Sequence, residues 1–256
     1  MRVTIGRLPA TMKHLLLAFV SSFVILHLPR FARPLGSIGF ALMLAVSASP
    51  RLSFSAQPNI LVILVDDMGF SDLGCYGSEI PTPNLDSLAA GGVRFTQFYN
   101  TARCSTTRAS LMTGLYPHQA GMGYLDGLKL PESKGTHGRL HERCVTMAEV
   151  LGAAGYHTSI VGKWHLGQSR DSGSTPPWER GFQRTATTQF GELYFPKERS
   201  KDACKWVYLD GRKVAADSPE VGSGEWYSTF MFTDWALKFL DDAKASGKPF
   251  FQYFAH

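Results

Sequence analysis

Cys104-Ser105-Thr106-Thr107-Arg108-Ala109-Ser110-Leu111-Met112-Thr113-Gly114 places a thiol at the start of a predicted helix and an arginine one turn further on. Residues four apart share a helix face, so Arg108 reaches whatever group Cys104 carries. The free N–H groups and the dipole of a helix N-terminus favour negative charge there. Upstream, the apolar run Asn59-Ile60-Leu61-Val62-Ile63-Leu64-Val65 leads into Asp66-Asp67. Downstream, a second apolar run ends in Gly162-Lys163-Trp164-His165. A nucleophile, paired carboxylates and a Lys/His pair are the parts needed to transfer an anionic group.

Each part also has a plain structural reading. Asp-Asp is commonly a solvated turn or helix cap. A cysteine is usually a buried small hydrophobe, or a reactive thiolate where its surroundings lower its pKa. Lys163 and His165 lie two apart and share a face if the segment is extended. Two adjacent carboxylates where a buried strand ends suit a hard divalent cation with oxygen ligands. In open α/β sheets ligands gather outside the carboxyl ends of strands.

The elements that must hold these residues follow from pattern. The run 59–65 predicts a parallel strand buried on both faces. Thr82-Pro83 opens a short helix that Gly91-Gly92 closes, and 93–98 reads as a returning strand. The segment after Cys104 predicts a helix to Thr113, stopped by Gly114. Thr146 and Glu149 form a capping-box pattern for a helix ending near Gly155. Residues 157–161 are the next strand. Trp206 to Val214 reads as a hairpin turning at Asp210-Gly211. Residues 233–245 carry apolar side chains at helical spacing up to Gly247, and 250–254 form another buried-type strand. That strand wants neighbours on both sides and is read as lacking them. Alternating strands and helices predict a parallel α/β sheet.

The chain has 256 residues and a net charge of +5. Residues 1–57 hold six Lys/Arg and no acid, leaving 20 basic against 21 acidic residues in the body. The body is therefore nearly neutral, which argues against nucleic-acid binding. The basic leader has two apolar runs, 15–28 and 35–46, each short for a membrane span of about 20 residues. With Val46-Ser47-Ala48 as a small-residue cleavage pattern, 1–57 reads as an export signal and the protein as periplasmic or extracellular. A two-segment membrane anchor is the alternative, so membrane contact is expected only through an uncleaved leader. Cys75, Cys144 and Cys204 leave room for at most one disulfide beside Cys104, and their spacing shows no disulfide framework. His137, His141 and Cys144 suggest zinc, but no fourth ligand has suitable spacing.

From Pro58 onward the chain resembles the formylglycine-dependent, arylsulfatase-like sulfatase family. Gly155-Tyr156-His157-Thr158-Ser159-Ile160-Val161-Gly162-Lys163-Trp164-His165 fits the family's second signature throughout. Around the cysteine the family usually has proline, sometimes alanine, two residues on; here that residue is Thr106, and Arg103 before the cysteine is also unusual. The resemblance implies a three-layer α/β fold of the alkaline-phosphatase type, with a mainly parallel sheet, seen as its N-terminal part over 58–256. It implies oxidation of Cys104 to 3-oxoalanine (formylglycine) by a formylglycine-generating or sulfatase-maturating enzyme. Hydrated, that aldehyde has two hydroxyls on one carbon: one attacks sulfur and displaces the alcohol, and deprotonation of the other expels sulfate. Asp66, Asp67 and the group on Cys104 are then ligands of Ca2+ or Mg2+. Arg108 and the metal ease ionisation of the hydrate, Lys163 holds a sulfate oxygen, and His165 hydrogen-bonds the hydrate or moves its proton.

The implied substrate is a sulfated small molecule or glycan. Two other readings stand beside it, a phosphoester or phosphonate hydrolase on the same scaffold and an inactive remnant or binding module. The last is prompted by family features expected beyond His256: a catalytic histidine, an Asp-Asn pair and a second lysine.

Overall fold

The computed structural model describes residues 57–126, 134–167, 175–188, 205–222 and 227–256. Residues 1–56, all but the last of the predicted export leader 1–57, and Cys204 lie outside the described residues. Among those described, no helix is long and apolar enough to cross a membrane.

Six strands of the described residues form one sheet: β1 Ile60–Leu64, β2 His157–Lys163, β3 Arg184–Thr188, β4 Trp206–Leu209, β5 Arg212–Ala215 and β6 Phe250–Ala255, in spatial order β1-β6-β2-β3-β4-β5. The pairs β1/β6, β6/β2 and β2/β3 are parallel; β3/β4 and β4/β5 are antiparallel. The β4–β5 hairpin turns at Asp210-Gly211, both with positive φ (47° and 81°), as a tight two-residue turn requires. β3 had no recognisable signal; its Arg-Thr-Ala-Thr-Thr is polar, yet four of its five residues are buried.

Among the described residues four α-helices accompany the sheet: α1 Pro83–Gly91, α2 Cys104–Thr113, α3 Met147–Ala153 and α4 Ser228–Ser246. The capping box of α3 is formed, Thr146 Oγ1 accepting from Glu149 N at 3.1 Å and Thr146 N donating to Glu149 Oε2 at 2.6 Å. Gly114 and Gly247 end α2 and α4 in the left-handed conformation. Thr82 precedes α1 as expected, but its hydroxyl accepts from Gly74 N and donates to Asp86 instead of capping the helix.

Alternation along the strands makes two cores. Ile160, Phe251, Tyr253 and Ala255 face the side of α2 and α3, while Val161 and Phe254 face α4. Helical layers thus cover both faces of the sheet's middle.

Three expectations are corrected. β6 does not lack neighbours: β1 and β2 pair with it on either side. Among the described residues β1, not β6, stands at the edge of the sheet, and it is not buried on both faces. Ile60, Val62 and Leu64 pack on the core, but Ile63 is 43% exposed because α4 lies over β2, β3 and β6 and not over β1. Residues 93–98 form no strand; Val93 and Phe98 are 71% and 59% exposed and the segment joins no ladder, being held by bonds such as Tyr76 OH to Phe95 O.

Candidate functional site

The carboxyl ends of β1 and β2 flank that of β6, and the N-terminal turn of α2 comes to the same end of the sheet. Asp66 follows β1, Lys163 ends β2, and Arg108 projects from α2. Lys163 Nζ donates to Asp66 Oδ2 at 2.5 Å, and an Arg108 terminal nitrogen (Nη2) lies 3.7 Å from Asp66 Oδ1. The other (Nη1) donates to the Lys163 carbonyl at 2.6 Å. Three residues far apart in sequence therefore meet as one charged cluster.

A backbone device aims Lys163. Gly162 has φ +98°, and a Cβ there would stand 1.8 Å from the Ala255 carbonyl oxygen. Only glycine lets β2 pass β6 so closely. His165, two residues on, also has a left-handed backbone, φ 58°.

Burial alone would raise the Asp66 carboxyl, but the hydrogen bond and charge of Lys163, with Arg108 and His165 adding, hold it below the usual carboxylate range. Burial, reinforced by Lys163 and Arg108 against Asp66, pushes the His165 imidazole down to about 4. At neutral pH His165 is therefore uncharged, with one ring nitrogen a donor and the other an acceptor.

Cys104 is a half-buried free thiol in the first turn of α2. Asp67 is exposed with φ 56°. Along the chain Asp67 adjoins Asp66 and Cys104 lies one turn before Arg108, and among the described residues neither enters the cluster's ion pairs. Thr106, where the family usually has proline, is buried, and its hydroxyl donates toward the Thr101 and Arg103 carbonyls at 3.0 and 2.9 Å. These bonds tie the first turn of α2 to the segment that precedes it.

Asp66 and Asp67 carry hard carboxylate oxygens, the donor type that calcium and magnesium take, and two such residues are only part of a shell. Among the described residues no group of three or more His, Cys, Asp or Glu side chains gathers to hold a metal. His137 and His141 meet edge to face instead, and the Cys144 thiol points to the Gln119 carbonyl. Cys75 and Cys144 are free thiols.

Sequence reasoning missed Tyr253. Its hydroxyl lies 3.2 Å from the Arg108 nitrogen that also reaches Lys163. Within Phe-Phe-Gln-Tyr-Phe-Ala it read as one more apolar strand residue; a hydroxyl on the buried face was the available signal.

The model of the family described as Sulfatase matches residues 58–256. Arylsulfatase A of Bos taurus is 37% identical over 232 residues, covering 84% of this chain and 43% of that protein. Arylsulfatase A of Homo sapiens is 47% identical over 146 residues, 56% of this chain and 27% of that protein. Among solved structures, Ps i-CgsB in complex with k-i-k-neocarrahexaose superposes with a TM-score of 0.63 at 29% identity, covering 77% of this chain and 44% of that one. BT4656 in complex with its substrate D-glucosamine-2-N,6-O-disulfate gives a TM-score of 0.58 at 27% identity, covering 77% and 34%. The chain spans less than half the length of these relatives. Its mostly parallel sheet with helices on both faces is the alkaline-phosphatase-like fold of these neighbours.

Proposed function

Because the chain belongs to the sulfatase family, we propose that its site serves hydrolysis of a sulfate ester, with a sulfated carbohydrate or aryl sulfate as substrate. The observation that carries this reading is the convergence of Arg108 and Lys163 on Asp66, one helical turn from Cys104. Two cations beside a nucleophile position are what a sulfate group needs.

Asp66 and Asp67, with the group on Cys104, would hold Ca2+ or Mg2+. A formylglycine made from Cys104 by a maturating enzyme would supply, when hydrated, one hydroxyl to attack sulfur and a second to expel sulfate. Lys163 holds a sulfate oxygen as a point charge, and Arg108 offers a planar fork of donors. Neutral His165 accepts or gives a hydrogen bond at the reacting hydroxyl without adding charge. Residues 1–57 are proposed as an export leader, placing the enzyme in the periplasm or outside the cell. Sequencing of secreted material should then begin between about 49 and 59.

The test is sulfate release from an aryl sulfate and from a sulfated saccharide, with peptide mass spectrometry at position 104. The expected results are an aldehyde or its hydrate in place of the thiol, and turnover lost on Cys104→Ala or Lys163→Ala. Turnover that survives Cys104→Ala would sink the formylglycine route. Turnover on phosphate esters alone would favour the phosphoester reading.

A further inference from the structure

We propose that Tyr253 is a positioning residue of this site, its hydroxyl fixing the rotation of the Arg108 guanidinium so that the opposite edge of the fork is presented to an anion. The inference rests on the sulfate-ester reading above and deepens it by one residue.

Arg108 is 0% exposed. A buried guanidinium is costly unless its donors find acceptors. One terminal nitrogen has two, the Lys163 carbonyl at 2.6 Å and Tyr253 Oη at 3.2 Å, one for each of its hydrogens. Nε and the other terminal nitrogen are buried with no hydrogen-bond acceptor among the described residues, the latter 3.7 Å from Asp66 Oδ1. These two nitrogens are the paired edge that recognises an oxyanion bidentately. With the Lys163 carbonyl alone, the guanidinium could pivot about a single bond. A second acceptor removes that freedom.

Tyr253 is itself fully enclosed. It sits on central strand β6, between Val62 of β1 and Ile160 of β2, and is fully buried. Burial also raises its phenol above the usual range, against the nearby Arg108 charge, so it stays a neutral hydroxyl. A phenylalanine would fill the same apolar space without the cost of desolvating a hydroxyl. The hydroxyl therefore matters for its bond to Arg108. It acts through Arg108.

The experiment uses the full 256-residue chain and inorganic sulfate as the probe. Sulfate affinity is measured by calorimetry for wild type, Tyr253→Phe, Arg108→Ala and the double variant. Rotation of the Arg108 guanidinium is followed by side-chain nitrogen NMR. Losing a hydrogen bond to a charged group predicts about tenfold weaker sulfate binding for Tyr253→Phe, with circular dichroism unchanged. Guanidinium rotation should become fast, and Tyr253→Phe should cost nothing further once Arg108 is alanine. Affinity within about twofold of wild type in Tyr253→Phe, while Arg108→Ala loses binding, overturns the positioning role and leaves the site reading intact. No sulfate binding by wild type, or full binding by Arg108→Ala, overturns the site reading and the inference with it. Should Tyr253→Phe not fold, the wild-type spectrum decides: a freely rotating guanidinium overturns the inference.

Discussion

Over β6, β2 and β3, α4 lies on one face, and Phe239, Phe251, Tyr253 and Val161 are fully buried. On the β1 side, Ile63 and Val65 remain 43% and 39% exposed, and α1 buries none of its nine residues. The β1 side is held by its ladder to β6 and by polar bonds such as Cys75 N to Asp86 Oδ1 at 2.7 Å and Arg94 to the Cys75 carbonyl at 2.7 Å. Yet both sides furnish the site: Asp66 from the thinly covered one, Lys163 and Arg108 from the packed one. Apolar burial thus sets where the cations stand, while hydrogen bonding to a neighbour strand sets where the carboxylate stands.

This contrast can be broken at its hinge. Gly162→Ala drives a Cβ into the Ala255 carbonyl at a φ that disfavours side chains. Its cost is expected at more than about 4 kcal/mol, enough to leave little folded protein in urea titration. Phe251→Ala removes a fully buried ring from the packed side and should cost about 3 to 4 kcal/mol by the same measurement.

Glu149→Gln keeps the α3 cap but removes the negative charge that pairs with Arg180 at 2.9 Å in a half-buried setting, and should cost about 1 kcal/mol or less. Burial by itself raises the Glu149 carboxyl, but Arg180 and the Thr146 N–H bring it below its ordinary 4.5. A depressed carboxyl contributes stability that is complete above pH 4.5 and is lost as pH falls below it toward the folded value. Urea midpoints at pH 6 and at about pH 3.5 should therefore fall less in Glu149→Gln than in wild type. The smallest effect belongs to the other side: Leu88→Ala on α1, where Leu88 is 47% exposed, should change stability by about 0.5 kcal/mol or less. A loss at Leu88 equal to that at Phe251 would erase the contrast.

Local chemistry explains what the sequence could reveal. Gly114, Gly247, Asp210-Gly211 and the Thr146/Glu149 box each specify a turn or cap within a few residues, and each is present as expected. The order of strands depends on which distant segments meet, so the central place of β6 and the edge place of β1 were not legible. An apolar strand looks the same whether one face or two are covered. For the same reason residues 93–98, rich in strand formers, stayed irregular with no ladder to join. Six site candidates could be named from motifs, and Asp66, Arg108 and Lys163 are in contact. Tyr253 escaped because its partner lies 145 positions away.

The placement of β6 also governs the order of folding. Its first amide, at Phe250, donates to the Asn59 side chain across 191 residues. β1 and β2 are thus synthesised well before the strand that joins them. Closing so long a loop slows folding, and until β6 arrives both strands offer unpaired edges to any other chain nearby. The same insertion completes the seat of Arg108. Hydrogen-exchange labelling during refolding should find the β1 amides protected only when those of β6 are, so that the cluster of Arg108, Lys163 and Asp66 forms in that same cooperative step.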